Sequence, residues 1–476
     1  MMEQIDVAII GAGIAGLSLA DRLRSRAPEL SVRLFEASDR PGGKIRTERV
    51  ESDDGRFIVE SGPDAILAQK TWALDLISEL GLSDELIPII RVPKSTAILK
   101  GGRLMDLPEG VALVAPTKIR PFVRTSLLSL PGKIRATRDF VAGPRAVSGD
   151  ESLGSFVARR FGREVLDWIA EPLAAGIYNA DPDCLSLQAT FPQLALAEEK
   201  SGSVIRGLRA ARKPSAGKSD SPAFLTLRDG MQTLTDALAD RIGPILRTNA
   251  PATRIDPSED GGYVVRVGAR DVRTAFVVLA LPAAQTAALL TTIAPEASRE
   301  IESLRANHAG TISLAYRTID IPRPLPGYGL IVPKREGRPI NAITISSRKF
   351  DFRAPAGWAL VRAFFGGYRS PETMHIDDDA LREVVAGELR SLMGITTPPA
   401  FDRIHRWQQG SPQYDVGHLE RVARIEAALP SGIALTGSPY RGVGIPDIVH
   451  QSWQLADHLA VAAAESPFLA ELNASR

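Results

Sequence analysis

The sequence predicts a multidomain α/β protein, and three observations carry that prediction. The chain has 476 residues, enough for two or three packed domains at about 150 residues each. Near its start, the apolar and β-branched run Ile5 to Ile10 is followed by closely spaced glycines and then by Leu17, Ala20 and Leu23 at helical spacing. Far downstream, strand-like segments recur at 311–317, 328–333, 340–346 and 358–365, which calls for a second sheet.

Composition fits a large buried core and narrows the function. Apolar residues make up 44% and charged residues 24%, the usual balance of a soluble globular protein. Lys and Arg total 57 against 56 Asp and Glu, a formal net charge of +1, so no global field favours nucleic acid as a partner. Cys184 is the single cysteine, which rules out an intramolecular disulfide, a CxxC pair and a thiolate-rich metal site, and fits a reducing cytoplasm. The six histidines have no metal-ligand spacing, and no metal is expected. The first residues carry Glu3 and Asp6 rather than the basic residues of a secretory leader, so they read as a mature start. The longest apolar stretch, Ala275 to Leu290, is interrupted by Pro282, Gln285 and Thr286 and falls short of the ~20 residues of a spanning helix.

Taken in order, the run from Ile5 to Ile10 reads as strand, the glycines as a tight turn, the following segment as helix, and Val32 to Phe35 as a second strand ending at Glu36. This is a βαβ unit and the beginning of a Rossmann-like domain. A helix is expected over 71–80, and Leu153, Phe156, Val157, Phe161, Val165, Leu166 and Ile169 lie at helical spacing over 151–170. Residues 200–222, rich in Ser, Gly, Lys and Arg with Pro214 and Pro222, read as an exposed loop. Gly230 to Leu246 reads as helix, and Tyr263 to Val267 and Val272 to Leu281 read as strands, with a turn signal at Gly261-Gly262. The expected division is a discontinuous nucleotide domain formed by 1–70, 221–285 and 411–476, a mostly helical region at 71–220, and a mixed-sheet substrate domain at 286–410.

Gly11, Ala12, Gly13, Ile14, Ala15 and Gly16 satisfy GxGxxG between the first strand and the first helix, the context that gives the pattern its meaning. The first glycine permits the turn, the second admits a pyrophosphate to the backbone, and the third lets helix and strand pack closely. The helix N-terminus attracts the phosphate charge. Glu36 follows Gly16 at the spacing of an acid that accepts hydrogen bonds from an adenosine ribose, and its charge disfavours a 2′-phosphate. A dinucleotide other than NADP is expected.

The segment Arg40-Pro41-Gly42-Gly43-Lys44-Ile45-Arg46-Thr47 resembles the RxGGK/R sequence of flavoproteins of the amine oxidase and phytoene desaturase type, which implies FAD. A second GxGxxG, as a reductase fed by NAD(P)H would need, is absent downstream. The run Glu171-Pro172-Leu173-Ala174-Ala175-Gly176-Ile177-Tyr178-Asn179-Ala180-Asp181-Pro182, followed by Leu185-Ser186-Leu187 and Ala189-Thr190-Phe191-Pro192, is similar to the signature of protoporphyrinogen oxidases, a family that includes a coproporphyrinogen-oxidising bacterial branch. Arg406-Trp407 with Pro412-Gln413-Tyr414 and Val416-Gly417-His418, and Gly437 through Tyr440 to Gly442-Val443-Gly444-Ile445-Pro446-Asp447, are similar to the same family, so the resemblance spans nearly the whole chain. It implies a cofactor-binding set in which Glu36, Ala37, Arg40, Gly43 and Lys44 follow the fingerprint. Gly62, Pro63, Asp64 and Ala65 then form the loop approaching the flavin, Ala252 lies near adenine, Trp407 lines the flavin, and Val443, Gly444 and Ile445 open the final helix.

The resemblance departs at Gly410-Ser411, where Ala-Met or a similar pair is frequent, at Ser452, where glycine is usual, and at Thr96. Eukaryotic members have, at about the place of Thr96, an arginine that pairs with a substrate propionate. That role passes here to another basic group, with Lys70, Arg91 and Lys94 as candidates and solvated surface positions as the plainer reading of each.

The implied reaction converts a porphyrinogen to the porphyrin, with oxygen as acceptor. It removes six electrons, two per flavin cycle, by hydride loss from methylene carbons to flavin N5. The product of each loss is a conjugated cation, so the protein must chiefly hold that carbon in place. No catalytic acid or base is expected; Asp64, His418 and His450 are the ionisable groups nearest the motifs. The rivals are an amine oxidase on the same fold, with Tyr440 as one wall of an aromatic cage, a carotenoid desaturase, and a flavin-binding protein without catalysis. Finally, residues Val111 to Arg145 carry Lys118, Arg120, Arg124, Lys133, Arg135, Arg138 and Arg145 against the single acid Asp139, with Phe122, Val123, Leu127, Leu128, Leu130 and Ile134 interleaved. A basic and apolar surface helix is the form of a peripheral membrane anchor, and a helix packed on the substrate domain with a solvated basic face would read the same.

Overall fold

The structure is a computed structural model that describes residues 2–92, 96–108, 111–112, 115–116, 118–144, 149–211 and 222–465. Glu3–Ile10 lies between two parallel neighbours, Val32–Phe35 and Arg270–Leu279, and Leu246–Arg247 continues the parallel run beyond Val32–Phe35. Both faces of the first strand are covered, so Ile5 to Ile10 are buried without alternation, as parallel strands require. Tyr263–Val267 and Ala252–Pro257 extend the sheet antiparallel, while Ile433–Leu435 pairs in parallel with the second half of Arg270–Leu279. One sheet thus draws its strands from three distant parts of the chain. Asp6 is buried within it, and its carboxylate accepts hydrogen bonds from the Ser31 backbone at 2.7 Å and hydroxyl at 2.8 Å, which sets the start of the second strand. The first helix, Ile14–Arg26, packs along the last, Ile445–Ala464, through Leu17, Leu23, Val449 and Ala456.

The second sheet has seven strands in the order Asp402–Pro412, Ala306–Arg317, Trp358–Gly366, Ile340–Ile345, Gly329–Ile331, Thr96–Lys100, Arg103–Asp106. Neighbours are antiparallel except Gly329–Ile331 beside Thr96–Lys100. All four downstream strand expectations fall in this sheet. Helix Asp378–Met393, capped by the Asp377 side chain on the Ala380 amide, packs Leu381, Val385 and Leu389 into the sheet's core.

Two expectations fail. Residues 200–211 are not loop: Pro192–Ser201 and Val204–Ala211 are helices, and Val204 and Ile205 are buried. A Cβ on Gly207 would lie 2.6 Å from the Ala197 carbonyl oxygen, so the two helices meet at a contact only glycine allows, and that short buried face was masked by the polar composition around it. The rest of the expected loop, 212–221, lies outside the described residues. The basic stretch after Val111 is not one surface helix either. It contains helices Ile119–Arg124 and Leu130–Thr137 and a turn at Arg138–Phe140. Phe122, Leu127 and Leu128 are core, whereas Val123, Leu130, Ile134 and Val141 are exposed.

Asp139, the lone acid of that stretch, is fully buried. Its carboxylate accepts from Arg160 Nε at 2.7 Å, the Ser203 hydroxyl at 2.7 Å and the Ile205 amide at 2.9 Å, joining three helical segments. Asp139→Ala removes the closer carboxylate of the buried Arg160 and leaves it only Glu198 at 3.4 Å, and stability should fall by about 3–5 kcal/mol, measured as the shift in denaturation midpoint against Asp53→Ala at the exposed turn between strands Thr47–Ser52 and Gly55–Glu60.

Candidate active site

The glycine fingerprint has the geometry its chemistry needs. Gly11 has φ +100°, and a Cβ there would lie 2.7 Å from the Ala280 carbonyl oxygen. A Cβ on Gly16 would fall 2.0 Å from the Gly11 carbonyl oxygen, whereas one on Gly13 would meet nothing within 4 Å. The first and third glycines therefore serve packing, and the second faces open space at the N-terminus of the helix. Ala12, Ile14 and Ala15 are buried around this turn. The Glu36 carboxylate, at the exit of the second strand, accepts from the Ala12 amide at 2.8 Å and from the Ser38 amide and hydroxyl at 2.9 and 2.7 Å. The Ala250 amide bonds the Glu36 carbonyl at 2.8 Å, which brings the segment leading to Ala252 beside the acid. Ala37 is exposed next to it.

The Pro-Gly-Gly loop folds back onto the fingerprint. The Gly42 amide bonds the Ala12 carbonyl at 2.7 Å, and Arg40 donates to the carbonyls of Pro41, Gly43 and Ile45, so its role is to brace the loop. Gly43 approaches the Gly13 backbone, and a Cβ on Gly62 would lie 1.9 Å from the Lys44 carbonyl oxygen. The loop Ser61–Ala65 is then clamped from the second sheet. Trp407 Nε1 donates to the Ser61 carbonyl at 2.8 Å, Arg362 Nη2 to the Gly62 carbonyl at 2.8 Å, and Lys349 Nζ to both Asp64 oxygens at 3.0 and 2.8 Å. Burial works against the ionised Asp64, but Lys349 and Arg362 outweigh it and hold its carboxyl below the usual range. Pro63 is exposed and Ala65 half-buried.

The three segments quoted for the family resemblance interlock. The Gln413 side chain accepts from the Asp181 amide at 2.9 Å and the Ser186 amide bonds the Tyr414 carbonyl at 2.7 Å. The Tyr414 hydroxyl donates to the Ser438 carbonyl at 2.6 Å and accepts the Gly442 amide at 2.8 Å. Val443, Gly444 and Ile445 follow at the N-terminus of the last helix, and Gly437 in the same loop lies against Ala15 of the first. A cavity of about 160 Å³ is walled by Lys44, Arg305, Gln409, Tyr414, His418 and Ser438 among others. His418 is buried, stacks on Tyr414 at 3.9 Å and bonds the Tyr440 carbonyl through Nε2; burial lowers its pKa. His450 stacks on Trp72 at 3.9 Å. Both rings are committed to packing.

Tyr440, the suggested wall of an aromatic cage, is a core residue packed in the cluster of Val277, Leu279 and Leu290. Lys70 bonds both carboxylate oxygens of Asp447, at 2.6 and 2.7 Å, so it stands against the start of the last helix. Arg91 is exposed, Lys94 lies outside the described residues, and Thr96 begins a strand of the second sheet. Sequence reasoning missed Arg362 and Lys349, since isolated charged residues far from any motif carry no local signal, and it quoted Asp447 within a motif without giving it a role.

Lys44 Nζ donates to the Gly410 carbonyl at 2.7 Å, and burial pulls its pKa down to about 8 from 10.5. The unfolded chain therefore binds the extra proton between these values, and the flavin-free protein should gain stability as pH rises from about 8 to 10.5. Lys44→Met should flatten that rise; denaturant midpoints of both apoproteins at several pH values check it, and parallel slopes would contradict it.

The family model of flavin-containing amine oxidoreductases matches residues 14–459. The chain is 32% identical over 459 residues to the coproporphyrinogen III oxidase of Bacillus subtilis, covering 94% of this chain and 96% of that one. It is 34% identical to the protein of the same name from Propionibacterium freudenreichii, with 98% and 93% covered. The chloroplastic protoporphyrinogen oxidase of Nicotiana tabacum is 28% identical, with 96% and 85% covered. Among solved structures, one from Exiguobacterium sp. 255-15, provisionally described as a protoporphyrinogen oxidase, superposes with a TM-score of 0.84 at 28% identity, covering 97% of this chain and 100% of that one. A putrescine oxidase bound to putrescine shares the fold, with a TM-score of 0.70 at 17% identity and 97% and 100% covered. With its glycine turn, the acid at the exit of its second strand and its interlocked C-terminal loop, the chain belongs to the flavin-containing amine oxidoreductase family.

Proposed function

We propose that this protein is an FAD-dependent porphyrinogen oxidase of heme biosynthesis, with oxygen as the acceptor. The observation that carries this reading is full-length likeness to bacterial proteins named coproporphyrinogen III oxidase at 30–34% identity, joined to the interlock of the three quoted segments. The likeness to the tobacco protoporphyrinogen oxidase is weaker, at 28%, which supports coproporphyrinogen III as the substrate. The site fits the cofactor: open space beside Gly13 suits a pyrophosphate, and Glu36 beside the Ala252 segment suits an adenosine. In this reading the nucleotide domain comprises 1–70, 221–285 and 411–476.

FAD, when bound, takes a hydride at N5. The clamped Ser61–Ala65 loop and Trp407 fix where the ring lies, and the rigidity of that clamp suits a reaction that asks mainly for position. Lys70 and Arg91 are the proposed propionate contacts, and a propionate reaching Lys70 must compete with Asp447. An amine oxidase is less well supported, because Tyr440 is buried in the core.

The purified yellow protein, given coproporphyrinogen III and protoporphyrinogen IX separately, should generate porphyrin fluorescence faster with the first; no fluorescence with either would refute the reading. Gly13→Val, which fills the open space at the helix N-terminus, should yield a folded, colourless protein, and a variant with normal flavin content would remove the fingerprint from the argument. The exposed Val123, Leu130, Ile134 and Val141 sit among exposed Arg120, Arg124 and Arg138, and this patch is proposed to rest on an anionic membrane surface. Sedimentation with anionic vesicles should show binding at low salt that weakens as salt rises; no binding at low salt would defeat it.

A further inference from the structure

Glu60, Arg353 and Arg362 are buried beside the Gly62–Ala65 loop, at 5, 1 and 3% exposure. Together they leave one positive charge in excess. The neighbouring Asp64–Lys349 pair is balanced and does not cancel it. Among the described residues neither guanidinium rests on a carboxylate: Arg362 donates to the Gly62 carbonyl, and Arg353 to the carbonyls of Arg228 and Leu227 and the hydroxyl of Thr226. Among the described residues, the Nε of each arginine has no partner. Glu60 is likewise turned to neutral donors, the Met231 amide at 2.7 Å and the Thr47 hydroxyl at 2.8 Å. Burial works against the charged form of all three groups, raising the pKa of Glu60 and lowering those of Arg353 and Arg362. A buried charge excess of this kind is costly unless an anion stands near it.

We propose that Arg362, seconded by Arg353, balances the negative charge that reaches a bound flavin with each hydride, so that this buried cluster sets how readily the flavin is reduced. The proposal rests on the functional reading above, which places the ring at this loop. In each cycle a substrate methylene C–H bond breaks, its hydrogen and electron pair pass together to flavin N5, and the oxidised substrate gives one proton to solvent; over three cycles two of these protons come from nitrogen and one from the fourth methylene carbon. One negative charge then remains at the ring, within the field of the two guanidinium groups. Arg362 touches the loop rather than the substrate, so it acts as a positioning and electrostatic residue.

The test is the flavin midpoint potential of fully flavinated proteins, measured by a dye-linked reductive titration that needs no porphyrinogen. Arg362→Met should shift the reduction equilibrium about tenfold against the reduced form, or about 30 mV for a two-electron couple, while Arg362→Lys restores most of the shift. Lys349→Met, which leaves Asp64 unbalanced, should move the potential the same way, and Asp64→Asn the opposite way. The Lys349→Met, Asp64→Asn double variant should return close to the wild-type value. A structural role alone changes flavin content or stability without this dependence on the sign of charge. Wild-type potentials in Arg362→Met and Asp64→Asn, or shifts of one sign in both, would overturn the proposal. If Arg362→Met does not fold, Lys349→Met and Asp64→Asn decide by the same rule. A wild-type holoenzyme that oxidises neither porphyrinogen sinks the functional reading while the titration still decides the electrostatic one.

Discussion

The hydrogen bonds from Trp407, Arg362 and Lys349 to the backbone and side chain of Ser61–Asp64 couple the two sheets of this protein. The loop belongs to the chain that leaves the first sheet, and its three anchors all come from the second sheet or its margin. Two of the donors, Arg362 and Lys349, are cationic and largely buried, so their bonds are of the stronger, charge-assisted kind, and each of the three leaves a costly orphan if broken. The close approach of Gly62 to the Lys44 carbonyl follows from this anchoring. So does the position of Lys44 between the glycine turn and the end of strand Asp402–Pro412.

A second linkage fixes the opposite wall. Tyr414 lies just beyond the strand that carries Trp407, yet its hydroxyl bonds the loop before the last helix, and its backbone bonds Ser186, in the segment after helix Glu171–Tyr178. The last helix in turn packs on the first. The glycine turn, the Ser61–Ala65 loop and the C-terminal loop are thus held in one rigid arrangement by a few polar contacts, most of whose partners lie hundreds of residues apart. That rigidity suits the proposed reaction, in which alignment is the main demand, and two of the ionisable groups nearest the motifs are already engaged. His418 is spent on Tyr440 and Tyr414, and Asp64 is spent on Lys349.

Elements written in short-range patterns were legible without a structure. The strand–turn–helix at residues 3–26, Glu36, and four strands of the second sheet follow from β-branched runs, glycine spacing and helical periodicity, all of which act within a few residues, whereas Thr96–Lys100, Arg103–Asp106 and Asp402–Pro412 are not read as strands from the sequence. Where composition stood in for pattern, the reading failed. Residues 200–211 are polar on average, yet Val204, Ile205 and Gly207 make one packed face. The basic stretch after Val111 is split between core and surface, with its only acid buried under Arg160 and the start of the Val204–Ala211 helix. Tyr440 looked available and is core.

The sequence by itself determined the dinucleotide turn, the acid that follows it, the α/β class and the family, because each resides in contiguous residues or in motifs quoted whole. Only the tertiary structure decided the fate of the charges. It paired Asp64 with Lys349 across 285 positions and Lys70 with Asp447 across 377, and it set Arg362 on the Gly62 carbonyl across 300. Whether a charged side chain is solvated, paired or left in buried excess depends on which distant segments exclude water around it, and no local pattern encodes that.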